Sequence, residues 1–199
     1  MIWNRRYFKR NMIIIVNGNS GSGKTYLLQQ LKEETDCDFV PFKKHTTRGV
    51  RDYEKKQDQV DLIYNCSKEH ISSFKYNYTY KGEQYAVDEK ELIKTLEQGK
   101  VPVLSVRSFD IIRKIKNDFE DVLVLFILGQ AGKSLNAILK KQGRKKQEIG
   151  DTDEGLINIL NEMVENIDLV DHTLNNSLYD RDLLIRQFFH YACLKRKEN

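Results

Sequence analysis

MIIIVNGNSGSGKT, residues 12–25, joins a compact β-branched apolar run to a glycine-rich turn. Met12 to Val16 reads as a buried strand, because strands covered on both faces are continuously apolar rather than alternating. Residues 18–25, GNSGSGKT, fit G-x-x-x-x-G-K-[ST] throughout. Gly18, Gly21 and Gly23 let the backbone wrap closely around an anion, with Ser20 and Ser22 between them. Successive N–H groups then point inward, and the N-terminus of the helix that starts near Lys24 adds its positive end. Lys24 is placed to reach the β- and γ-phosphates of a nucleotide, and the Thr25 hydroxyl to bind Mg²⁺. The loop therefore predicts an ATP–Mg²⁺ site held by residues 18–25.

Outward from this loop, apolar segments alternate between strands and helices. VPVLSV (101–106) and VLVLFIL (122–128) read as buried strands, and LVDHTL (169–174) as a weaker one. Helices are expected over 24–34, 88–98, 109–117, 133–141, 153–166 and 178–194. Leu92, Ile93 and Leu96 form an apolar stripe on the second of these, which Gly99 ends. The rhythm predicts an α/β fold: a doubly wound parallel sheet of about five strands flanked by helices, with its ligand outside the carboxyl ends of the strands. Residues 45–87 break that rhythm. They are polar and tyrosine-rich and read as a small inserted α+β subdomain, leaving 12–44 and 88–199 as the core of one 1–199 domain.

Composition narrows the class further. The chain has 199 residues, 40% hydrophobic and 31% charged, which is globular and long enough for a core without staples. The longest apolar run is Val122 to Leu128, far short of the ~20 residues of a membrane span. No signal-peptide pattern opens the chain, and residues 1–11 carry no assigned function. A formal charge of +4 is too small to argue for nucleic acid and suits a polyanionic small substrate. Cys37, Cys66 and Cys193 form no C-x-x-C pair and no zinc pattern, so they read as reduced thiols in a cytoplasmic protein. His45, His70, His172 and His190 show no ligand spacing. The guanine signature N-K-x-D of GTPases is absent, and a compact phosphate-loop domain with an inserted subdomain favours a small-molecule kinase.

Residues 46–54, TTRGVRDYE, place Arg48 and Arg51 three apart, a spacing at which two guanidinium forks can hold one phosphate. With the phosphate loop, this T-T-R-x-x-R-x-x-E pattern resembles the guanylate kinase family. Gly82-Glu83-Gln84-Tyr85 resembles that family's G-x-x-Y acceptor loop, and the resemblance runs over about 12–194. It implies a core, an acceptor-binding subdomain and a lid over 140–152, with Arg48, Arg51 and Tyr85 gripping the acceptor's phosphate. In KKQGRKK (140–146) it implies that Lys140 and Arg144 close over the nucleotide phosphates, and it makes Lys24, Arg48 and Arg144 the catalytic set. The family's serine, tyrosine and acidic guanine readers are replaced by Lys44, Val60, Tyr76 and Ser105, and a lid-helix arginine by Ile159.

The implied activity is ATP-dependent transfer of a phosphoryl group to a nucleoside monophosphate. GMP is the family's acceptor, and the rewritten reader positions argue against it here. Arg107, where the family has an acidic residue, is expected to point into the cleft and resembles the ribose 1,5-bisphosphate kinases. A phosphosugar kinase is thus the alternative activity, and a non-catalytic guanylate kinase-like binding module the alternative of another class. The expected partners are a small phosphorylated acceptor and no membrane or nucleic acid, with the chain a monomer or homodimer. Asn175 and Asn176 fall where the family approaches adenine.

Overall fold

The computed structural model describes residues 12–34, 37–52, 54–56, 59–129, 152–176 and 181–198. The expected helix 133–141 and most of the lid segment, with Lys140 and Arg144, lie outside them.

Strand β1 (Ile13–Gly18) is buried along its whole length. Its side chains alternate between two cores. Met12, Ile14 and Val16 face Leu27, Leu28 and Leu31 of helix α1 (Lys24–Glu33). Ile13 and Ile15 face the opposite layer, with Leu92 and Ile112. This two-sided burial is why the run is continuously apolar. The remaining main-sheet strands are β2 (Phe39–Phe42), β7 (Val101–Ser105), β8 (Val122–Gly129) and β9 (His172–Asn176), in the order β2-β7-β1-β8-β9. All pairings are parallel. Helix α1 and the last helix, α6 (Arg181–Glu198), cover one face. Helices α3 (Glu89–Glu97), α4 (Phe109–Asp118) and α5 (Thr152–Glu165) cover the other.

Local chemistry sets the boundaries. Asp88 caps α3 by accepting from the N–H groups of Lys90 and Glu91, and Gly99, at φ 72°, ends it. Of the expected stripe on α3, Leu92 and Leu96 are buried, whereas Ile93 is exposed; one step along a helix turns a side chain by about 100°. The strand expected over 169–174 forms at 172–176, because Ile167–Leu169 is a 3₁₀ turn. The Asp171 carboxylate also accepts from Val124 N at 2.7 Å, taking a bond next to the ladder. The last helix begins at Arg181, and runs to Glu198, past the expected end.

A second sheet has the order β4-β3-β6-β5, from β3 (Lys44–Thr46), β4 (Leu62–Ile63), β5 (Tyr76–Tyr80) and β6 (Glu83–Val87). Helix α2 (Lys68–Ser72) packs beside it. Strands β5 and β6 form a hairpin around Lys81 and Gly82, both at positive φ (51° and 80°), the geometry of a two-residue turn whose twist suits a hairpin. Chain passes between the sheets twice, through Lys43 between β2 and β3 and through Asp88 between β6 and α3. Among the described residues, no helix is long and apolar enough to cross a membrane.

Candidate active site

The glycine-rich loop leaves the carboxyl end of β1 and enters α1, as the sequence requires. Gly18 (φ 140°) and Gly23 (φ 107°) hold conformations that side chains rarely adopt. A Cβ on Gly18 would stand 2.4 Å from the Ile127 carbonyl oxygen, and one on Gly23 2.6 Å from Asn176 Nδ2. The loop is thus a cradle that glycine alone fits. Lys24 Nζ folds over it, donating to the carbonyls of Gly18 (2.8 Å) and Asn19 (2.7 Å) and to Ser22 Oγ (3.3 Å). Thr25 stands exposed in the first turn of α1. A tight backbone cup, an ammonium above it and a helix N-terminus below suit the phosphates of a nucleotide, and the Thr25 hydroxyl is an oxygen donor of the kind Mg²⁺ takes.

Asn176 braces this loop. Its Nδ2 donates to the Ser22 carbonyl at 2.8 Å, and Asn175 exchanges two backbone bonds with the Gln187 side chain.

In the TTR segment, Arg48 is buried and bidentate to Glu54: Nη1 and Nη2 each donate to a carboxylate oxygen at 2.9 Å. Its guanidinium also lies over the Tyr64 ring, 5.0 Å from the centroid. Arg51 N donates to Glu54 Oε2 (2.9 Å), and Arg51 Nη1 stands 3.6 Å from Oε1. Burial works against both charges, but the pair offsets it: the Arg48 pKa is raised and the Glu54 carboxyl is held below its usual range. Glu54 therefore organises both arginines. The motif contains it, yet its hub role was not read from sequence, because spacing does not show which way two forks turn.

At the carboxyl end of β7, Lys44 Nζ donates to the Ser105 carbonyl and lies over the Tyr85 ring, 5.6 Å from the centroid. Burial lowers its pKa. Tyr85 stacks on Tyr78 (5.3 Å, 19°), and burial raises its pKa. Arg107, just beyond β7, is tied to the loop strand: Asn17 Nδ2 donates to its carbonyl at 3.2 Å. Its guanidinium donates to Glu162 Oε2 (2.8 Å) and lies over Tyr80, 5.3 Å from the centroid. Among the described residues, its buried Nε and Nη1 have no hydrogen-bond partner.

Two positions aligned with the family's base reader and lid arginine do other work. Tyr76 is fully buried among α3 and α4 residues, with its hydroxyl donating to Asp118 (2.7 Å). It is a core residue, not a base reader. Ile159 packs against the same core.

Apart from Thr95, every buried polar or charged side chain among the described residues belongs to these groups: Asn17, Asn19 and Ser22; Lys44, Thr46 and Arg48; Ser105; and Asn176. Burying polar groups is costly unless they are paired, so their gathering around the loop and the neighbouring strand ends marks this region as the site.

Comparison with known proteins agrees with this architecture. A family model described as guanylate kinase matches residues 9–183. A guanylate kinase of Aster yellows witches'-broom phytoplasma is 26% identical over 144 residues, covering 70% of this chain and 67% of that protein. One from Carboxydothermus hydrogenoformans is 25% identical over 150 residues, covering 70% and 69%. The crystal structure of guanylate kinase from Anaplasma phagocytophilum superposes with a TM-score of 0.64 over 93% of this chain and 86% of the other, at 14% identity.

Proposed function

Since the chain belongs to the guanylate kinase family, we propose that it transfers the γ-phosphoryl group of ATP to the phosphate of a nucleoside monophosphate. One observation carries this reading: Lys24 Nζ is held over the glycine cradle by the carbonyls of Gly18 and Asn19. In this proposal residues 18–25 hold the nucleotide, with Lys24 at its β- and γ-phosphates and Thr25 as the Mg²⁺ ligand. Bound Mg²⁺–ATP supplies the phosphoryl group and part of the charge neutralisation. Arg48, Arg51 and Tyr85 bind and orient the acceptor's phosphate, with Glu54 positioning the two guanidinium groups. An acceptor phosphate is already an anionic nucleophile, so the chain needs no general base. Arg144 and Lys140 close over the transferred group and help exclude water.

The acceptor's base is read differently from guanine. The carboxylates that would accept from guanine's N1–H and N2 donors are replaced by Tyr76, whose hydroxyl is spent in the core, and by Ser105. GMP is therefore expected to be a poor acceptor, with kcat/KM about 10²-fold or more below that of the preferred one. A second reading, a phosphosugar acceptor, is favoured by Arg107, two of whose buried nitrogens have no partner among the described residues and suit a further anionic group.

The test is ADP release from ATP–Mg²⁺ with a panel of nucleoside monophosphates and phosphosugars. Turnover with one acceptor class, lost by about 10²-fold or more in a folded Lys24→Ala variant, is the expected result. Fast turnover of GMP would overturn the reading of the base pocket. No ATP–Mg²⁺ binding in calorimetry and no turnover of any acceptor would overturn the enzyme and favour a binding module.

A further inference from the structure

The second sheet carries a cluster that phosphoryl transfer does not use. His45 lies on β3, Cys66 in the loop after β4 and His70 in α2. His45 Nδ1 stands 3.2 Å from His70 Nε2 and 3.7 Å from Cys66 Sγ, and the three ligand atoms all lie within 4.8 Å of one another. Ligands around a tetrahedral zinc ion, at ~2.0–2.1 Å for nitrogen and ~2.3 Å for sulfur, are about 3.3 Å (N to N) and 3.6 Å (N to S) apart. The two measured edges are close to those values before any ion pulls the groups together.

The backbone fixes the three donors. Cys66 N donates to the Thr46 carbonyl at 2.9 Å, which fastens the cysteine beside the residue that follows His45. Ser67 caps α2 by accepting from His70 N at 3.1 Å, which sets His70 four residues on from Cys66. The Phe74 ring lies 4.7 Å from the His45 ring and 4.8 Å from the His70 ring, an apolar wall against both imidazoles. His70 is exposed, so the cluster has an entry side. Linear spacing gives no metal pattern for these residues, because His45 joins Cys66 from 21 residues away.

We propose that His45 Nδ1, Cys66 Sγ and His70 Nε2 form a site for a thiophilic divalent cation, Zn²⁺, with solvent in the fourth position. Two imidazoles and a thiol are a nitrogen and sulfur donor set that suits zinc and rejects Mg²⁺ and Ca²⁺, which take oxygen. On binding, the Cys66 thiol gives its proton to solvent, and both imidazoles are neutral, with lone pairs on Nδ1 of His45 and Nε2 of His70. The ion would fasten β3 to the loop and helix beside it, next to the segment that carries Arg48.

Cobalt(II) is the probe, added stoichiometrically to the reduced, chelator-treated full chain without nucleotide or Mg²⁺. Tetrahedral ligand-field absorption and a thiolate-to-cobalt charge-transfer band are expected, both bleached by Zn²⁺. The charge-transfer band should vanish in Cys66→Ser and survive in a Cys37→Ser/Cys193→Ser variant. His70→Gln, a change at an exposed position, should weaken cobalt affinity by about tenfold or more with an unchanged circular dichroism spectrum. Absence of the charge-transfer band in the unmodified chain, its persistence in Cys66→Ser, or full affinity in His70→Gln would overturn the site and leave a hydrogen-bonded cluster only. The readout involves neither ATP nor an acceptor, so it stands apart from the kinase assay.

Discussion

Glu54 is the residue on which the proposed acceptor grip turns. Its carboxylate holds both terminal nitrogens of Arg48 at 2.9 Å. Glu54→Gln keeps the shape and removes the charge, so the two guanidinium groups lose their common anchor. The acceptor KM should rise by about 10–100-fold, while the KM for ATP changes little; steady-state kinetics with each substrate varied separately checks this. Removing one partner of a largely buried pair costs on the order of 3 kcal/mol, so Glu54→Ala should also lower the urea midpoint clearly. The pH dependence has a definite sign. The Glu54 pKa is lowered from 4.5 in the fold, so its contribution is complete above the ordinary carboxyl range. It is lost as pH falls through the lowered value, and acid unfolding of Glu54→Gln should lack that component. Lys44 runs the other way. Burial lowers its pKa below 10.5, so its charge opposes folding at neutral pH. That cost fades as pH rises through the lowered value. Lys44→Met should hold or raise the melting temperature at neutral pH and alter acceptor selectivity.

Among the elements, the β1–α1 junction is the least tolerant of change. Gly23→Ala would force a side chain into φ 107° and against Asn176 Nδ2, at a cost of about 1–3 kcal/mol. It should abolish ATP binding in calorimetry while leaving most helical signal in circular dichroism. This junction was legible in the sequence because its cause is local: an apolar run, three glycines and a lysine, contiguous in the chain. The buried strands β7 and β8 were legible for the same reason. Less was legible where partners are distant. Nothing near Tyr76 tells that its hydroxyl reaches Asp118, 42 residues on, or that Lys44 reaches Ser105, 61 residues on. The late start of β9 depends on Asp171 bonding to β8, and the His45–Cys66–His70 cluster on the packing of β3 beside the loop before α2.

For the molecule as a whole, the two sheets differ in how they are buried. Strands β1, β7 and β8 lie between two apolar layers, whereas β3 has three residues and β4 two, and in the second sheet β4 and β5 carry exposed residues. Hydrogen exchange followed by mass spectrometry should find the amides of β1, β7 and β8 opening only with global unfolding. Those of β4 and β5 should exchange through openings that cost less. Uniform protection of both sheets would contradict this. The link between the sheets has a mechanical corollary. Lys43 and Asp88 are each one residue long as connections, and two short attachments define a line. A body fastened to another along a line keeps one easy rotation about it and resists twisting and sliding, as a door does on its pins. In the smaller sheet, however, the Tyr76 hydroxyl on Asp118 and Lys44 on the Ser105 carbonyl latch the body to the core beside these two attachments, so a swing of its arginines about that line must first break those bonds.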